Sequence, residues 1–155
     1  MELTELKKIY SELNGKYSLP SFKELNEDFE IEKISSGSDT LLRAIRKVMM
    51  EKILSSLSFV ELLLNPMASP RMYLAYVKSM SSEDRKCIEK IYDSFSEVSF
   101  VALDLEIDYS ESSEAELVSR IFAVWQNAKP EFRIILKNMK NPSESFVKKD
   151  RSYFG

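Results

Sequence analysis

The sequence contains no histidine and only one cysteine, Cys87. Histidine is the commonest general acid or base near neutral pH and the commonest metal ligand. Its absence excludes Ser-His-Asp and Cys-His catalysis and histidine-based zinc sites. A single cysteine excludes a disulfide within the chain and a zinc site built from several cysteines, and it is typical of a reducing compartment. Because no catalytic constellation is left, we expect a protein that is not an enzyme and that needs no cofactor.

Glycine and proline are also scarce, with 3 and 5 residues among 155. β-Sandwiches and barrels need many turns and usually use more of both, so this scarcity favours long helices. Hydrophobic residues make up 44% and charged residues 30%, which is typical of a globular chain. We predict an all-α fold, a bundle of about five to seven helices. The length fits one domain, or one domain with a small appendage.

Long apolar runs are lacking as well, and we expect no leader sequence. The most hydrophobic stretch, residues 58–64, is interrupted by Glu61 and is far shorter than the ~20 residues of a membrane span. The first residues, MELTELKK, have no apolar region of the signal-peptide type. The formal net charge of −3 argues against a surface that binds nucleic acid as a whole. We therefore expect a cytoplasmic protein with no membrane contact and no small-molecule ligand.

Two long segments with helical spacing are predicted to form the centre of the bundle. Residues 39–64 give the longest predicted helix, and an Asn-Pro pair ends it. Residues 82–106 follow a cap at Ser81 or Ser82 and carry a heptad-like seam, which we expect to pack against the first segment. The seam consists of Ile88, Ile91, Phe95, Val98, Ala102 and Leu105, and Phe100, Val101 and Leu103 add apolar surface beside it.

Shorter helices are predicted before this pair. An apolar stripe in residues 3–17 predicts the first helix, with a stop signal at Asn14-Gly15. Ser21 and Glu24 form a capping-box pattern that predicts the start of the second helix. The alternating pattern of residues 29–34 indicates a short extended segment after that helix.

An acidic, serine-rich stretch at residues 108–116 is the best candidate for a boundary. It divides the chain into a helical bundle core (1–108) and a C-terminal helical appendage and tail (109–155), with one single domain as the alternative. A Ser-x-x-Glu pattern that begins at Ser113 predicts a helix cap. Pro130 is predicted to break the chain between two short helices, although the short apolar runs on both sides also suit strands.

Arg43, Arg46 and Lys47 lie within one helical turn of each other in this otherwise acidic chain. Such a cluster can bind nucleic acid, because neutralising phosphates supplies most non-specific affinity. The alternative is a solvated helix face whose cations pair with nearby acids, Asp39 or Glu51. We favour the solvated face, since no glycine-rich loop or set of interleaved aromatic residues accompanies the cluster.

The predicted helix at residues 39–64 has a second apolar strip, formed by Met50, Leu54 and Leu57. A helix with two apolar strips is central to a bundle or carries a partner on its second side. Together with the main apolar face, this strip gives the helix more apolar surface than the packing of one core requires. These three residues are therefore a candidate interface for a protein partner or for self-association.

Aromatic residues further along the chain add candidates for a protein interface. Trp125 is either a contact for a partner or part of the packing of a core, and core packing is the interpretation we favour. Tyr153 and Phe154 follow a charged stretch. Two aromatic residues after a charged stretch resemble a short docking peptide. The alternative is that these aromatic residues fold back onto the domain.

Charged residues at two further places are candidate functional sites. Lys52 lies near the centre of the main apolar face of its predicted helix. There are three alternatives: its ammonium extends past its apolar neighbours to water, it meets an acid from another helix, or a partner covers it. The acids Asp104, Glu106, Asp108 and Glu111 have the composition of a hard-cation site. The spacing and the glycine of an EF-hand are absent, so we interpret them as a helix end that runs into an acidic loop and expect no metal.

Residues 41–64, followed by SMSSEDRKCIEKIYDSFSEVSFVAL at 79–103, resemble the helical domain of GINS subunits, which belong to the replicative helicase of archaea and eukaryotes. The resemblance rests on a long helix with Arg/Lys-rich turns near the Lys52-Ile53 pair, a linker, and a helix introduced by an acidic cap. It covers under half of the chain. It implies a non-enzymatic scaffold that bridges other replication proteins.

These observations predict a non-enzymatic helical adaptor or scaffold subunit that acts through protein–protein contacts, with a place in a DNA-replication assembly if the resemblance holds. The alternative is a nucleic-acid-associated factor that uses the basic helix face formed by Arg43, Arg46 and Lys47.

Overall fold

The computed structural model describes residues 1–35 and 41–141, and over these ranges the chain is a bundle of six α-helices with one 3₁₀ turn. The described ranges contain no β-strand. The predicted all-α bundle of about five to seven helices is confirmed. The helices are α1 (Leu3–Tyr17), α2 (Phe22–Phe29), α3 (Leu41–Leu64), α4 (Arg71–Ser79), α5 (Ser82–Ile107) and α6 (Glu111–Lys140), and the 3₁₀ turn covers Ile31–Lys33.

Helices α3, α5 and α6 form the centre of the bundle, and each of them packs against the other two. The predicted seam of α5 is confirmed, because all six of its residues are buried. Fully burying a side chain such as Ile88 or Phe95 stabilises the fold by about 1.5–3 kcal/mol, so the seam is a large part of the core. The main apolar face of α3 is buried through Leu41, Leu42, Ile45, Met49, Ile53, Val60 and Leu63.

Helix caps set the start of three helices. The predicted capping box is confirmed: Ser21 Oγ accepts a hydrogen bond from the N–H of Glu24 at 3.2 Å, and the Glu24 carboxylate accepts one from the N–H of Ser21 at 3.1 Å. Ser81 caps α5, as predicted. Helix α6 is capped by Ser110 and not by Ser113, which instead donates its N–H to the Ser110 hydroxyl at 3.4 Å.

Two predicted interruptions near the start of the chain are wrong. Helix α1 continues past Gly15 to Tyr17 and ends at Ser18, which takes a left-handed conformation with φ of 53°. One glycine costs a helix about 1 kcal/mol, which the packing on both sides of it outweighs. Instead of the predicted extended segment at 29–34, α2 ends at Phe29 and a 3₁₀ turn covers Ile31–Lys33, with Ile31 in the core.

Helix α6 runs without a break through Pro130, so the predicted break and the strand alternative are both wrong. Proline has no N–H and therefore leaves the carbonyl of Gln126 without its helical hydrogen bond. The helix continues because residues on both sides of the proline, including Trp125, Ala128 and Ile135, are held in the core. Tertiary packing outweighs the local preference at this position.

The hydrophobic core is continuous across residue 108. Only residues 108–110 separate α5 from α6, and α6 contributes Leu117, Val118 and Ile121 to the same cluster as the earlier helices. Residues 109–141 thus share the core of the bundle.

Some predictions concern residues outside the described ranges. The loop at 35–38 lies there apart from Ser35, as do Asp39, Tyr153 and Phe154. Among the helices that the structure describes, none has both the length and the apolar character that crossing a membrane requires.

Candidate functional site

A groove of about 350 Å³ lies between α3 and α5, and its lining is mainly apolar. Met50 from α3 and Ala102 from α5 are buried at the groove. Leu54 and Leu103 line it from the two helices and are 48% and 61% exposed. The polar residues that line the groove are Arg46, Lys47, Glu51, Ser99 and Glu106. The site is therefore an open apolar cleft with charged groups along it.

Exposed apolar side chains continue from this groove along α5. Phe100, Leu103 and Ile107 are 68%, 61% and 86% exposed. Their spacing of three and four residues places them on one side of the helix. Exposed apolar patches on folded proteins are common binding sites for other molecules, which makes this one the candidate site. We call the set of Met50, Leu54, Phe100, Leu103 and Ile107 the α3–α5 surface.

The second apolar strip predicted on α3 divides among three environments. Met50 is buried at the groove, Leu54 is exposed on its wall, and Leu57 is half-buried against the core. The predicted strip therefore contains the α3 side of the α3–α5 surface, Met50 and Leu54. Ile107 on the other side was missed, although its position seven residues after Phe100 is the signal that could have identified it.

A buried ion-pair cluster closes one end of the groove. The Arg46 guanidinium donates from Nε to Oε2 and from Nη2 to Oε1 of Glu114, both at 2.9 Å. Its Nη2 also lies 2.7 Å from Oε1 of Glu106. Glu114 is fully buried and Arg46 nearly so, whereas Glu106 is partly exposed. One arginine of α3 is thereby tied to carboxylates from α5 and α6.

Hydrogen bonding favours the charged forms of Arg46 and Glu106. The hydrogen bond to Glu114 raises the pKa of Arg46, against the opposing effect of burial. The hydrogen bond from Arg46 lowers the pKa of Glu106. Because a buried ion needs a partner, we take the cluster as a fixed element that sets the positions of three helices.

The three cations of the predicted basic face have different environments. The interpretation as a solvated face is wrong for Arg46, which is buried. Arg43 is partly buried, with its guanidinium 4.5 Å from the centre of the Tyr109 ring and its Nε 3.8 Å from Glu114. Lys47 alone is exposed. A role of this cluster in binding nucleic acid stays a prediction, and Arg46 is held in ion pairs that such binding would have to break.

Lys52 is half-buried and meets the second helix. Its ammonium donates a hydrogen bond to the backbone carbonyl of Asp28 and lies 4.8 Å from the centre of the Trp125 ring, a cation–π contact. The Asp28 carboxylate accepts from Lys129 at 2.7 Å and from Gln126. Burial alone would raise the pKa of Asp28, but these hydrogen bonds outweigh it and lower the pKa. This network fastens α2 onto α3 and α6.

Trp125 belongs to the core, so its assignment as an interface residue is wrong and the alternative of core packing is confirmed. It is 9% exposed. Its ring lies 6.3 Å from that of Phe95 in a stacked arrangement and 6.0 Å from that of Phe132. The spacing of apolar residues in the sequence does not reveal that α5 packs against Trp125.

Two of the acids between residues 104 and 111 are engaged in ion pairs. Glu106 pairs with Arg46, and Glu111 lies 2.8 Å from Lys16 of α1. Within the described part of the chain, no three potential metal-ligating side chains of the His, Cys, Asp and Glu types come together. The arrangement is one of helix-to-helix ion pairs.

Cys87 contacts Glu131, whose carboxylate lies 3.0 Å from the sulfur. Burial, together with this hydrogen bond, raises the pKa of the Cys87 thiol to about 11. The thiol is therefore protonated at neutral pH. A protonated thiol is a poor nucleophile and a poor metal ligand, so this geometry does not activate the residue.

The described part of the chain is an all-α helical bundle with an exposed apolar surface between two of its central helices. No family model, no curated protein and no solved structure matches the chain. The resemblance to GINS helical domains accordingly stays a prediction from the sequence.

Proposed function

We propose that this protein is a non-enzymatic helical adaptor or scaffold subunit of the cytoplasm that binds other proteins through the α3–α5 surface. The observation that carries the proposal is the stripe of Phe100, Leu103 and Ile107 beside a groove walled by Leu54. A folded chain gains nothing from leaving such side chains in water. A protein partner that covers them removes that apolar area from water.

The shape of the surface suits a helix of the partner. Helix-in-groove recognition uses apolar anchors at helical spacing that enter a cleft between helices. The cleft here is open along the exposed walls of Leu54 and Leu103, and Lys47 and Glu51 offer charges beside it that can orient a partner. Burying an exposed leucine or phenylalanine completely is worth up to about 1.5–3 kcal/mol, so the anchors of this surface can supply a large part of the binding free energy.

The ion-pair cluster supports the same proposal by holding the groove in shape. Arg46 joins α3 to Glu106 of α5 and Glu114 of α6 at one end of the cleft. A surface that is already rigid loses little conformational entropy when it binds. The walls of the groove are therefore preorganised for a partner.

Affinity capture with matched variants tests the proposal. The full chain, tagged, is compared with a Leu54→Glu, Leu103→Glu variant and with a Met72→Glu control, which adds a charge at a 77% exposed methionine of α4. We expect the groove variant to lose proteins that the unmodified chain and the control both retain. Far-UV circular dichroism verifies that all three chains are folded. Equal capture by the three chains would refute the role of this surface.

The resemblance to GINS helical domains makes a DNA-replication assembly the first place to look for the partner. Replication proteins identified among the captured set, and lost with the groove variant, would support that part of the proposal. A captured set without them would leave the adaptor role and remove the replication assignment.

A further inference from the structure

Another cleft, of about 440 Å³, lies between α3 and α6 and shares no lining residue with the groove between α3 and α5. Its lining is mainly apolar and includes Phe59 of α3 and Trp125, Phe132 and Leu136 of α6. The centre of the Phe132 ring lies 6.4 Å from that of Phe59 and 6.0 Å from that of Trp125. A volume of this size falls within the range of roughly 300–1,000 Å³ that small-molecule sites occupy. We call it the α3–α6 cleft.

The charged side chains that line the α3–α6 cleft are both cations, Lys129 and Arg133. Lys129 pairs with Asp28, whose carboxylate lies 2.7 Å away. Arg133 is exposed, and among the residues that the structure describes no carboxylate pairs with it. The buried indole N–H of Trp125, which can only donate, also has no hydrogen-bond partner within the described ranges. Donors and positive charge favour a ligand that brings acceptors and a negative charge.

Acidic side chains stand beyond one end of the cleft, the end at Ser55. Ser55 also lines a neighbouring depression, to which Glu51 of α3 contributes. The acids at the end of α2 that line the same depression are Glu27, Asp28 and Glu30. A negative group of a ligand would be repelled at this end, so we expect it at the other one.

The opposite end of the cleft is basic. Helices α3 and α6 run in the same direction here, since Lys52 contacts Trp125 and Phe59 contacts Phe132. Arg133 lies about two turns beyond Trp125 along α6, away from α2. The cations that follow it at helical spacing on the same side of α6 are Lys137 and Lys140.

The acids of the adjoining helix segments lie away from this basic end. Glu131, the one acid in this half of α6, contacts Cys87 of α5 instead. Glu61 of α3 follows Phe59 by two residues, which places it on the far side of that helix. Helix α4, which packs against both α3 and α6, contains two cations and no acid. A negative group beside Arg133 is therefore not opposed by a carboxylate of these segments.

We propose that the α3–α6 cleft binds a small amphipathic carboxylate of the fatty-acid type, with an apolar body and one carboxylate group. The body packs on the rings of Phe59 and Phe132, and the carboxylate accepts hydrogen bonds from the guanidinium of Arg133, whose geometry suits two parallel bonds. The inference goes beyond the proposed function and does not depend on it, because it uses a different side of α3. A small-molecule ligand was not expected from the sequence, in which the two walls of the cleft are far apart.

Tryptophan fluorescence tests the site, because Trp125 is the only tryptophan of the chain and lines the cleft. The probe is sodium decanoate, titrated into the full chain below its micelle concentration. Decylammonium, which has the same chain length and a positive charge, is the comparison. We expect a saturable change with decanoate, and binding of decylammonium that is weaker by about tenfold or more. Isothermal titration calorimetry of the same pairs detects any binding that leaves the fluorescence unchanged.

Matched variants locate the contact. Arg133→Gln should weaken decanoate binding by about tenfold and remove the preference over decylammonium, because it removes the cation that meets the carboxylate. Lys8→Gln removes one charge from an exposed lysine of α1 outside the cleft and should bind decanoate as the unmodified chain does. Leu136→Glu, at a position that is 44% exposed, should weaken decanoate binding and favour decylammonium. Far-UV circular dichroism verifies that the variants are folded.

Four results would overturn the proposal. Three of them are no binding of decanoate by either method, equal binding of decanoate and decylammonium, and an effect of Lys8→Gln as large as that of Arg133→Gln. The fourth is decanoate binding that is lost in the Leu54→Glu, Leu103→Glu variant, because the ligand would then occupy the α3–α5 surface. The adaptor role is decided separately by affinity capture, since the two sites share no residue.

Discussion

Replacing Glu114 with glutamine changes one buried charge and almost nothing in shape. Glu114 is fully buried, and both of its oxygens accept hydrogen bonds of 2.9 Å from Arg46. A glutamine amide keeps one acceptor but turns an NH₂ donor towards a guanidinium that can only donate. Arg46 then has Glu106 as its one strong carboxylate partner, and that carboxylate is 42% exposed.

The expected loss of stability follows from these contacts. Removing one partner of a buried ion pair costs about 3–5 kcal/mol, because the other charge stays buried without compensation. Glu106 offsets only a small part of this, because its carboxylate is partly exposed to solvent. We therefore expect Glu114→Gln to lower the free energy of unfolding by about 3 kcal/mol. For a chain of this length, that corresponds to a Tm lower by roughly 6–12 °C.

Urea and thermal unfolding followed by circular dichroism measure this effect. Glu106→Gln serves as the control and should cost much less than Glu114→Gln, because the carboxylate it removes is partly exposed to solvent. A double variant, Arg46→Met with Glu114→Leu, removes both buried charges and should recover most of the stability. A cost below about 1 kcal/mol for Glu114→Gln, or a double variant as unstable as the single one, would refute the reasoning.

Three further predictions concern two buried hydroxyls and the stability in acid. Tyr10→Phe should cost about 1–2 kcal/mol in urea unfolding, because the Tyr10 hydroxyl donates to the carbonyl of Pro20 at 2.6 Å. Tyr76→Phe should leave the stability unchanged or raise it, since within the described ranges the buried Tyr76 hydroxyl has no hydrogen-bond partner. An equal loss of stability in the Tyr10 and Tyr76 variants would contradict this. Folding lowers the pKa of Asp28, so its charged form stabilises the folded chain. This contribution is complete above the ordinary pKa of about 3.9, and it is lost as the pH falls through the lower pKa of the folded state. The stability difference between the unmodified chain and Asp28→Asn should therefore shrink below about pH 4, and a difference that stays constant in acid would exclude the ion pair with Lys129.

Much of the fold and one side of the candidate site could be predicted from helical spacing. The seam of α5 and the main face of α3 are apolar at every third or fourth residue, and a buried helix face needs little more than that pattern. The cap at Ser21 is equally local, because the hydroxyl and the N–H that it satisfies are three residues apart. Met50 and Leu54 were found in the same way, as a second apolar strip on one helix.

Two of the predictions that failed depended on residues far apart in the chain. The pairing of Arg46 with Glu114 joins positions that are 68 residues apart, so a cation assigned to solvent lies in the interior. Pro130 was predicted to break a helix that the core holds together on both sides.

The sequence by itself determined that the chain forms helices and which face of each central helix is buried, because those properties depend on neighbours within one or two turns. The tertiary structure decided the rest. It placed Phe100, Leu103 and Ile107 of α5 beside Leu54 of α3, and it left all four in contact with water. The hydrophobic period of a helix does not specify which other helix packs against it, because that depends on the packing of the whole bundle.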